Sequence, residues 1–287
     1  MSKVWLITGS ARGLGRHILE AVLEAGHRVV AAARDPGRLA DLQARYGERL
    51  RTAALDVTDA AAARAAVQLA VDTFGSIDVL VNNAGYGHIA PFEQTSDEDF
   101  RAQIDTNFYG VVNLTRAVLP VMRAQRAGHI INISSVGGRI GTQGLSAYQA
   151  AKWAVGGFTE SIAREVTPLG IKVVALEPGG MRTDWASVAS SQIPQILPDY
   201  EPSVGALLQL LKTHSGSQAG DPGRVAQVVL GIADHENPPQ HLLLGSDALH
   251  YFGETDAERI RAAGAWKDVS LSTDVTAQGP IPAFPDR

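Results

Sequence analysis

Tyr148 and Lys152, four positions apart, have side chains that could handle a proton together. On a helix this spacing places both side chains on one face, within reach of a common ligand. Ser135 lies thirteen residues before Tyr148, at the end of a predicted strand. A carbonyl group held between a serine and a tyrosine hydroxyl is polarised, and the tyrosine can give up its proton as a hydride reaches the carbon. These residues are therefore predicted to form a catalytic acid/base group.

Lys152 is the natural source of charge for tuning the tyrosine. Lowering the reference tyrosine pKa of about 10 by ~3 units requires about 4 kcal/mol of preference for phenolate. A cation roughly 4 Å away, at an effective dielectric of about 20, supplies energy of that order, so we expect Lys152 to lower the pKa of Tyr148. Taken alone, the pair is also typical of a half-exposed tyrosine beside a solvated lysine. Ser134 competes with Ser135, because neighbouring strand residues point to opposite sides.

A glycine-rich turn follows the first predicted strand. The sequence Thr8-Gly9-Ser10-Ala11-Arg12-Gly13-Leu14-Gly15 stands where that strand gives way to a helix. A pyrophosphate must approach backbone N–H groups and the positive end of a helix, so side chains are excluded from such a turn. A lone glycine triplet would indicate only a tight turn. Here strand, turn, helix and second strand follow at lengths that suit a dinucleotide.

The end of the second predicted strand should meet the 2′ position of the adenosine ribose. An NAD site usually places a carboxylate there, whereas a 2′-phosphate is repelled by an acid and held by arginine. Ala33 takes the expected acidic position and Arg34 follows it, so Arg34 and Arg12 are predicted to bracket the phosphate of NADP(H). NAD(H) stays open as the alternative, because Asp35 lies about 20 residues beyond Gly15, the spacing of an NAD-type acid.

Short β-branched runs alternate with helical periods along the chain. Strands separated by crossover helices imply a parallel, doubly wound sheet with helices on both faces. We predict a single α/β domain of the Rossmann type with about seven strands. The predicted strands are Val4–Thr8, Arg28–Ala33, Arg51–Val57, Ile77–Asn82, Gly128–Ser134, Lys172–Glu177 and the strand-like His241–Gly245. This domain spans residues 1–265, with a substrate lid at about 184–220 and a mobile tail at 266–287.

The composition argues against several classes of protein. The 287 residues include no cysteine, which rules out disulfides, a thiol nucleophile and Cys-ligated metals and permits a reducing cytoplasm. The eight histidines are dispersed, so no metal is predicted. A net charge of −5 with scattered Lys and Arg argues against nucleic acid. No apolar run approaches the roughly 18 residues of a membrane helix. We predict a soluble, cytoplasmic protein without a membrane partner.

The ordered set of motifs resembles the short-chain dehydrogenase/reductase family over nearly the whole chain. The matching motifs are Thr8-Gly9-x-x-x-Gly13-x-Gly15, Asp56-Val57, Asn82-Asn83-Ala84-Gly85, Asn107, Ser135, Tyr148-x-x-x-Lys152 and Pro178-Gly179-x-x-x-Thr183. The family's spacing to the tyrosine selects Ser135 over Ser134. The resemblance implies an oxidoreductase whose catalytic residues are Asn107, Ser135, Tyr148 and Lys152, with Asn107 holding a water that relays protons through Lys152.

The resemblance also implies a nicotinamide cofactor site. Asp56 and Val57 would meet the adenine, Asn83 the adenosine ribose region, and Thr183 with nearby backbone the carboxamide. The implied cofactor-binding residues are Gly9, Ser10, Arg12, Gly13, Leu14, Gly15, Arg34, Asp56, Val57, Asn83, Ala84, Gly85, Tyr148, Lys152, Pro178, Gly179 and Thr183. Plainer roles stay open: Asp56 could cap the next segment, the two asparagines could end a strand in a turn, and Asn107 could be an exposed helical residue.

The substrate should lie over the carboxyl edge of the sheet. Most candidates for its pocket are apolar or aromatic: Tyr86, His88, Ile140, Gln143, Leu145, Met181 and Trp185. The sequences Asn-Asn-Ala-Gly-Tyr-Gly, Glu-Pro-Gly and Leu-Leu-Gly-Ser-Asp-Ala are similar to the hydroxysteroid dehydrogenase-like branch, which implies an apolar ketone or secondary alcohol. His88 could be a second acid/base and Trp185 a stacking platform, or they could be a loop histidine and a packed lid residue.

Three classes of function stay open: a reductase/dehydrogenase, a same-fold epimerase or dehydratase, and a non-catalytic NADP-sensing regulator. The second usually has a larger substrate domain and a TGxxGxxG turn, and the third would tolerate loss of the catalytic residues present here. By resemblance we expect a homodimer or homotetramer through helices near 108–123 and 148–165. Trp153, Val155, Gly156 and Phe158 would offer apolar surface there, unless they belong to the core.

Overall fold

Seven parallel strands form one sheet in the computed structural model, which describes residues 2–190, 195–213 and 216–285. The strands are β1 Val4–Thr8, β2 Arg28–Ala33, β3 Leu50–Ala54, β4 Val79–Asn82, β5 Gly128–Ile133, β6 Ile171–Pro178 and β7 His241–Leu244. The helices in these ranges are α1 Gly13–Glu24, α2 Ala40–Tyr46, α3 Ala60–Phe74, α4 Asp97–Ile104, α5 Gly110–Gln125, α6 Ser146–Val166, α7 Trp185–Ala189, α8 Ala206–Thr213, α9 Pro222–Asp234, α10 Ser246–Ala265 and α11 Lys267–Leu271. The predicted Rossmann-type α/β fold is confirmed.

Both faces of the sheet are covered by helices, which explains why the central strands are almost continuously apolar. Along β1 the side chains alternate, as a strand requires. Trp5 and Ile7 pack with residues of α1 and α9, whereas Leu6 packs with residues of α3, α5 and α6. All of β1 is buried. The two layers thus fix the strand ends that carry the predicted site.

The strand order β3-β2-β1-β4-β5-β6-β7 reverses direction at β1. Since all pairings are parallel, the carboxyl ends of the strands meet at one edge. That edge carries the glycine-rich turn after β1, the loop after β4, Ser135 after β5 and Pro178 at the end of β6. Open α/β sheets bind their ligands in the crevice at such a reversal point.

Three strands end earlier than the sequence predicts, and β7 does so by one residue, at Leu244 rather than Gly245. β3 ends at Ala54 rather than Val57, because the chain enters a turn in which the Asp56 carbonyl accepts from the Asp59 N–H at 3.1 Å. β5 ends at Ile133, and the N–H of Ser134 donates to the Leu176 carbonyl at 2.8 Å. Turn-forming Asp and Ser side chains make such ends hard to place from sequence.

Helix α10 was not assigned by the sequence analysis. Ala248 is its one buried residue, so no apolar stripe marks the helix. The predicted tail contains α11, and the rings of Trp266 and Phe284 lie 5.3 Å apart. Residues 286–287 of this tail, and 191–194 and 214–215 of the predicted lid, lie outside the described residues. The mobility of the tail stays a prediction.

The described part of the predicted lid packs on an apolar cluster of its own. Buried members of this cluster are Ile89, Ala189, Val204 and Leu208. Trp185 and Leu145 pack against it from the side of the sheet edge. No helix in the described ranges is long and apolar enough to cross a membrane.

The predicted apolar surface of α6 is only partly on the surface. Val155 and Gly156 are buried within the chain, so for these two residues the alternative of a place in the core is confirmed. A Cβ on Gly156 would lie 3.5 Å from His241. Trp153 is 45% exposed. Phe158 lines a groove between α5 and α6.

Candidate active site

The turn after β1 is locked to the loop after β4. Gly9 has a φ of +66°, and a Cβ there would lie 2.9 Å from the Cα of Ala84. A Cβ on Gly15 would clash with the carbonyl oxygen of Gly9. The Thr8 hydroxyl accepts from the N–H groups of Asn83 and Ala84, at 3.0 Å each. Thr8 begins the glycine motif, but the sequence did not predict that its hydroxyl holds the loop after β4.

The positive end of α1 opens onto this turn. Arg12 precedes the helix without capping it through its side chain, and the first turn contains no acidic residue. The N–H groups that start at Gly13 therefore suit an anion. The side chains of Ser10 and Leu14 are turned inward: the Ser10 hydroxyl donates to the Ile7 carbonyl at 2.7 Å, and Leu14 is buried in the core. The turn fits the pyrophosphate of a dinucleotide through its backbone.

Arg34 follows directly on β2, where the 2′ position was expected. The neighbouring Asp35 uses its carboxylate locally, because its Oδ1 accepts from the Gly37 N–H at 3.0 Å and caps a short 3₁₀ turn. The pKa of Asp56 is lowered mainly by hydrogen bonds from the N–H and hydroxyl of Thr58, and nearby Arg34 adds to the effect. Asp56 therefore caps its own turn and also faces the arginine.

Arg12 is engaged by the segment after β6. Its Nη1 lies 2.6 Å from the Asp184 Oδ2, and both side chains are partly exposed. A Cβ on Gly13 would lie 3.4 Å from Asp184 Oδ1 and 4.0 Å from the Thr183 Cβ. The segment with Thr183 thus crosses the start of α1. Of the two arginines predicted to bracket a phosphate, Arg12 pairs with an acid and Arg34 stands near Asp56.

The predicted catalytic side chains come together on the inner face of α6. Tyr148 and Lys152 are both buried. The side chains of Tyr148 and Ser135 are hydrogen-bonded. The Lys152 Nζ donates to the Ile133 carbonyl at 2.8 Å and lies 5.7 Å from the centre of the Tyr148 ring. The four-residue spacing on a helix produces this arrangement, as the sequence predicted.

The structure places Ser135, and not Ser134, at the tyrosine. The Ser134 hydroxyl is buried and donates to the backbone carbonyl of Lys152 at 3.3 Å. Ser135 begins a short 3₁₀ turn, where its Oγ accepts from the Gly137 N–H at 3.0 Å. The Ser135 Oγ also lies 3.5 Å from the carbonyl oxygen of Pro178. The Ser134 hydroxyl therefore contacts the backbone of α6, whereas the Ser135 hydroxyl contacts the Tyr148 side chain.

Burial moves the two key titrations in opposite directions. It raises the pKa of Tyr148 to about 12, and the hydrogen bond with Ser135 acts weakly against it. Burial lowers the pKa of Lys152 to about 8. The expected lowering of the pKa of Tyr148 is not found in this arrangement, because desolvation of the phenol dominates and the Lys152 Nζ donates to the Ile133 carbonyl. Tyr148 is accordingly a phenol at neutral pH.

Asn107 is fully buried in a π-helical turn between α4 and α5. Its amide nitrogen donates to the Tyr86 carbonyl at 2.8 Å, and its oxygen accepts from the Tyr86 N–H at 3.1 Å. A Cβ on Gly85 would lie 2.6 Å from the Asn107 oxygen and 3.6 Å from the Lys152 Nζ. Asn107 thus holds the loop after β4 beside Lys152, and the plainer possibility of an exposed helical residue is excluded. π turns of this kind are frequent at functional sites.

An aromatic wall adjoins the tyrosine. The rings of Trp185 and Tyr148 lie 5.3 Å apart at an angle of 55°. A Cβ on Gly87 would lie 2.6 Å from the Trp185 ring, so only glycine leaves room for the indole at that position. Leu145 packs against the same apolar cluster as Trp185. The wall beside Tyr148 is therefore apolar.

Two predicted pocket residues lie on other sides of the site. The pKa of Tyr86 is raised mainly by burial and further by Asp99 and Asp105, and Arg34 acts against the rise. Met181 packs against the core formed with α1 and α9. It also forms a β-bridge with Gly220. Neither residue is seen to pack against the apolar wall at Tyr148, and a contact of either with a substrate stays a prediction.

The remaining pocket candidates lie in the loops that follow β4 and β5. The His88 N–H donates to the side-chain oxygen of Gln103 at 3.0 Å. The Ile140 carbonyl accepts from the Trp153 indole N–H at 3.3 Å. Gln143 is exposed. Their contact with a substrate stays a prediction.

The loop after β6 is held by residues that the sequence analysis did not assign. The Gly180 N–H donates to the Asp247 Oδ2 at 2.7 Å, and a Cβ on Gly179 would clash with the Asp247 carboxylate. The Gly179 N–H donates to the Leu244 carbonyl at 2.9 Å. The sequence signal was present in Leu-Leu-Gly-Ser-Asp-Ala. Its meaning depends on β7 lying beside β6, which spacing alone does not reveal.

Fold and site together define a dinucleotide-binding oxidoreductase. An uncapped helix start faces the crevice at the strand-order reversal, and the buried Tyr148 and Lys152 stand with the partly exposed Ser135 at the same edge. In the described part of the chain, no group of three or more His, Asp or Glu side chains could hold a metal ion. The chemistry of the site therefore centres on hydroxyls, an ammonium and the dinucleotide cradle.

The chain belongs to the short-chain dehydrogenase family, whose model, described as short chain dehydrogenase, matches residues 3–193. It is 47% identical over 275 residues to the oxidoreductase BOA17 of Botryotinia fuckeliana, covering 95% of this chain and all of the relative. A short-chain dehydrogenase structure from Streptomyces avermitilis has a TM-score of 0.89 at 38% identity, covering 96% of this chain and 100% of that one. The predicted family is confirmed, and the protein is an oxidoreductase of this family.

A second solved structure similar to this chain contains a bound cofactor. The 3-ketoacyl-(acyl-carrier-protein) reductase from Brucella melitensis, complexed with NADH, has a TM-score of 0.71 at 26% identity, covering 84% of this chain and 96% of that one. The family binds a nicotinamide cofactor, which agrees with the predicted cradle. The hydroxysteroid dehydrogenase-like branch stays a prediction.

Proposed function

We propose that the protein is an NADP(H)-dependent oxidoreductase that moves a hydride between nicotinamide and a ketone or secondary alcohol of an apolar small molecule, with Tyr148 as the acid/base. The observation that carries the proposal is the buried Tyr148, hydrogen-bonded to the partly exposed Ser135 and lying beside Lys152. A structural tyrosine would not need a second hydroxyl and an ammonium at the same sheet edge. The proposed catalytic residues are these three and Asn107.

Each catalytic side chain has a part that follows from its surroundings. A substrate carbonyl oxygen can accept from the hydroxyls of Ser135 and Tyr148, in place of the contact that they make with each other. Bound nicotinamide supplies the hydride. Tyr148, with a pKa of about 12, holds its proton at neutral pH and donates it to the developing alkoxide. Lys152, a cation below its pKa of about 8, stabilises the phenolate that remains.

Asn107 extends this proton path on the side away from the substrate. Its amide fixes the backbone of Tyr86, and a Cβ on Gly85 would lie close to both the Asn107 oxygen and the Lys152 Nζ. After each turnover Lys152 would pass a proton to the Tyr148 phenolate, and a water held there would return a proton to Lys152. The backbone of Gly85 would line the same channel.

The preference for NADP(H) depends on the end of β2. Asp35 is committed to capping the next turn, so the side chain available to a 2′-phosphate is Arg34. A guanidinium matches a phosphate in charge and geometry. The complex of the Brucella relative with NADH keeps NAD(H) as the alternative. Arg12 would bind the 2′-phosphate after its ion pair with Asp184 breaks.

The apolar wall at Tyr148 supports an apolar substrate. Trp185 and Leu145 face the same cluster of aliphatic side chains, and the indole stands 5.3 Å from the tyrosine ring. A flat or aliphatic ketone bound against Trp185 would bring its carbonyl to Tyr148 while excluding water. The compound itself is left to a substrate panel.

The direct test compares the native protein with Tyr148→Phe. NADPH and NADH are titrated in parallel, and absorbance decay is then followed at saturating cofactor against ketones, diketones, aldehydes and steroid ketones. We expect tighter binding of NADPH than of NADH, decay on at least one ketone, and a loss of about a hundredfold or more in kcat in Tyr148→Phe, because only the transferable proton is removed. Tyr251→Phe, on exposed α10, is the matched control.

Other outcomes identify the other classes. Near-normal turnover in Tyr148→Phe would contradict the acid/base assignment. Tight NADPH binding without turnover on any carbonyl would favour a sensing protein. Conversion without net consumption of NADPH would favour an epimerase or dehydratase.

A homodimer or homotetramer is also proposed. The groove between α5 and α6 has a volume of about 310 Å³ and is mostly apolar. Its apolar lining includes Val112, Leu119, Pro120, Phe158, Ile162 and Leu169. Sedimentation of the purified protein tests this expectation. A cytoplasmic location stays a prediction of the composition.

A further inference from the structure

Glu177 is a buried carboxylate at the carboxyl end of β6. Its side chain is 1% exposed, and it stands immediately before Pro178, whose carbonyl lies at the catalytic Ser135. Burying a carboxylate costs several kcal/mol unless partners compensate it. A residue of this kind at the head of the cofactor loop therefore calls for a physical reason.

Glu177 has two partners, and one of them contacts a second carboxylate. Its Oε1 lies 2.7 Å from the Nδ1 of His241 on β7. Its Oε2 lies 3.7 Å from the Nε of Arg139, in the loop that follows Ser135. The other ring nitrogen of His241 lies 2.9 Å from the Oε1 of Glu160 on α6.

The charge state of His241 follows from its two partners. A neutral imidazole has one N–H, so it can donate to only one of the two carboxylates, whereas the imidazolium donates to both. The hydrogen bond with Glu177 raises the pKa of His241, with a smaller contribution from Glu160 and opposition from burial and from Arg139. With His241 charged, the two carboxylates face two cations.

Each arm of this cluster reaches an element that carries a catalytic group. Arg139 lies four residues after Ser135, at the end of its 3₁₀ turn. Glu160 lies two helical turns beyond Lys152 on α6. Glu177 itself leads into Pro178 and the loop proposed to meet the nicotinamide. The arms therefore join the serine turn, the tyrosine–lysine helix and the cofactor loop.

The geometry points to Glu177 as a positioning residue for catalysis, which with His241 and Arg139 fixes the serine turn, α6 and the loop after β6 relative to one another. This inference rests on the proposed function, in which these three elements act on one carbonyl. In this role Glu177 does not touch the reacting atoms. Its effect is on the distance and angle between groups that do, to which hydride transfer is sensitive.

The experiment compares Glu177→Gln with the native protein. Glutamine keeps the shape of the side chain and removes its charge, so the pairs with His241 and Arg139 are lost. We expect kcat on the best ketone to fall about ten- to a hundredfold, as for small misplacements of reacting groups. The NADPH Kd should stay within about twofold, because most dinucleotide affinity comes from the phosphate and adenosine contacts at the other end.

Amide hydrogen exchange gives a readout that does not depend on turnover. In Glu177→Gln we expect faster exchange in residues 136–139 and 178–183, the two segments that the carboxylate ties together. Asp234→Asn is the matched control, because it breaks the ion pair of Asp234 with Lys3 at the opposite end of the sheet. His241→Gln, which leaves the Arg139 arm in place, replaces Glu177→Gln if that variant does not fold.

The outcomes separate this inference from the proposed function. Native kcat together with native exchange in Glu177→Gln overturns the positioning role. Equal acceleration of exchange in Asp234→Asn also overturns it, because the effect would then be general loss of stability. If the native protein reduces no carbonyl, the proposed function fails, and the exchange pattern alone decides whether Glu177 ties the two segments.

Discussion

Replacing Lys152 by methionine should change how the stability of the protein depends on pH. Burial lowers the pKa of this lysine from its ordinary 10.5 to about 8. At about 1.4 kcal/mol for each tenfold change in proton affinity, burying the charged lysine lowers the free energy of unfolding by about 3 kcal/mol. This loss of stability is complete below about pH 8, where the buried ammonium is charged, and disappears above about pH 10.5.

The sign follows from proton counting. Between about pH 8 and 10.5 the unfolded chain holds a proton on Lys152 that the folded chain has released, so the free energy of unfolding rises with pH. Tyr148 acts oppositely, but only above about pH 10, because its folded pKa is raised to about 12. Measurements from about pH 7 to about pH 10 therefore isolate the lysine.

The assay is urea unfolding of the native protein and Lys152→Met, followed by tryptophan fluorescence and circular dichroism. The free energy of unfolding of the native protein, minus that of the variant, should rise by about 2 to 3 kcal/mol from about pH 7 to about pH 10. Lys267→Met, at an exposed lysine of α11, should follow the native protein. Parallel pH curves for the native protein and Lys152→Met would refute the reasoning that Lys152 is desolvated.

Three further predictions concern the cofactor and the aromatic wall. In titrations, Arg34→Ala should raise the Kd of NADPH at least tenfold and leave the Kd of NADH almost unchanged, because a charged hydrogen bond to the 2′-phosphate is lost. The control is Arg45→Ala, at an exposed arginine. Asp184→Asn should lower the NADPH Kd by up to about fivefold, because an exposed pair with Arg12 no longer competes; an unchanged Kd would count against phosphate binding by Arg12. Gly87→Ala should lower stability by about 1 to 3 kcal/mol and shift tryptophan fluorescence, since its Cβ meets Trp185.

The sequence predicted the sheet and its order of motifs well because these depend on local patterns. Alternating strands and helices fixed the parallel fold, and glycines at 9, 13 and 15 marked the crevice. The sequence failed at α10, because its side chains are exposed and no apolar stripe marks the helix. It also extended β3 through Asp56, where turn hydrogen bonds end the strand.

The residues of the site were easier to predict than their surroundings. Helical spacing alone put Tyr148 and Lys152 on one face, and the strand end brought Ser135 to them. The pair of Arg12 with Asp184, by contrast, joins residues 172 positions apart in sequence, and the cluster of Glu177 joins four elements. Contacts of this kind follow from tertiary packing, which no local pattern encodes.

The protonation of the site shows the same dependence on packing, and it bears on the chemistry. Spacing suggested a tyrosine made acidic by its lysine, whereas enclosure by the chain, with Trp185 at the ring, leaves Tyr148 with a pKa of about 12. At neutral pH this tyrosine has a proton to give, as reduction of a carbonyl requires. The raised pKa of Tyr148 therefore favours its protonated form, which is the form that donates to a carbonyl oxygen.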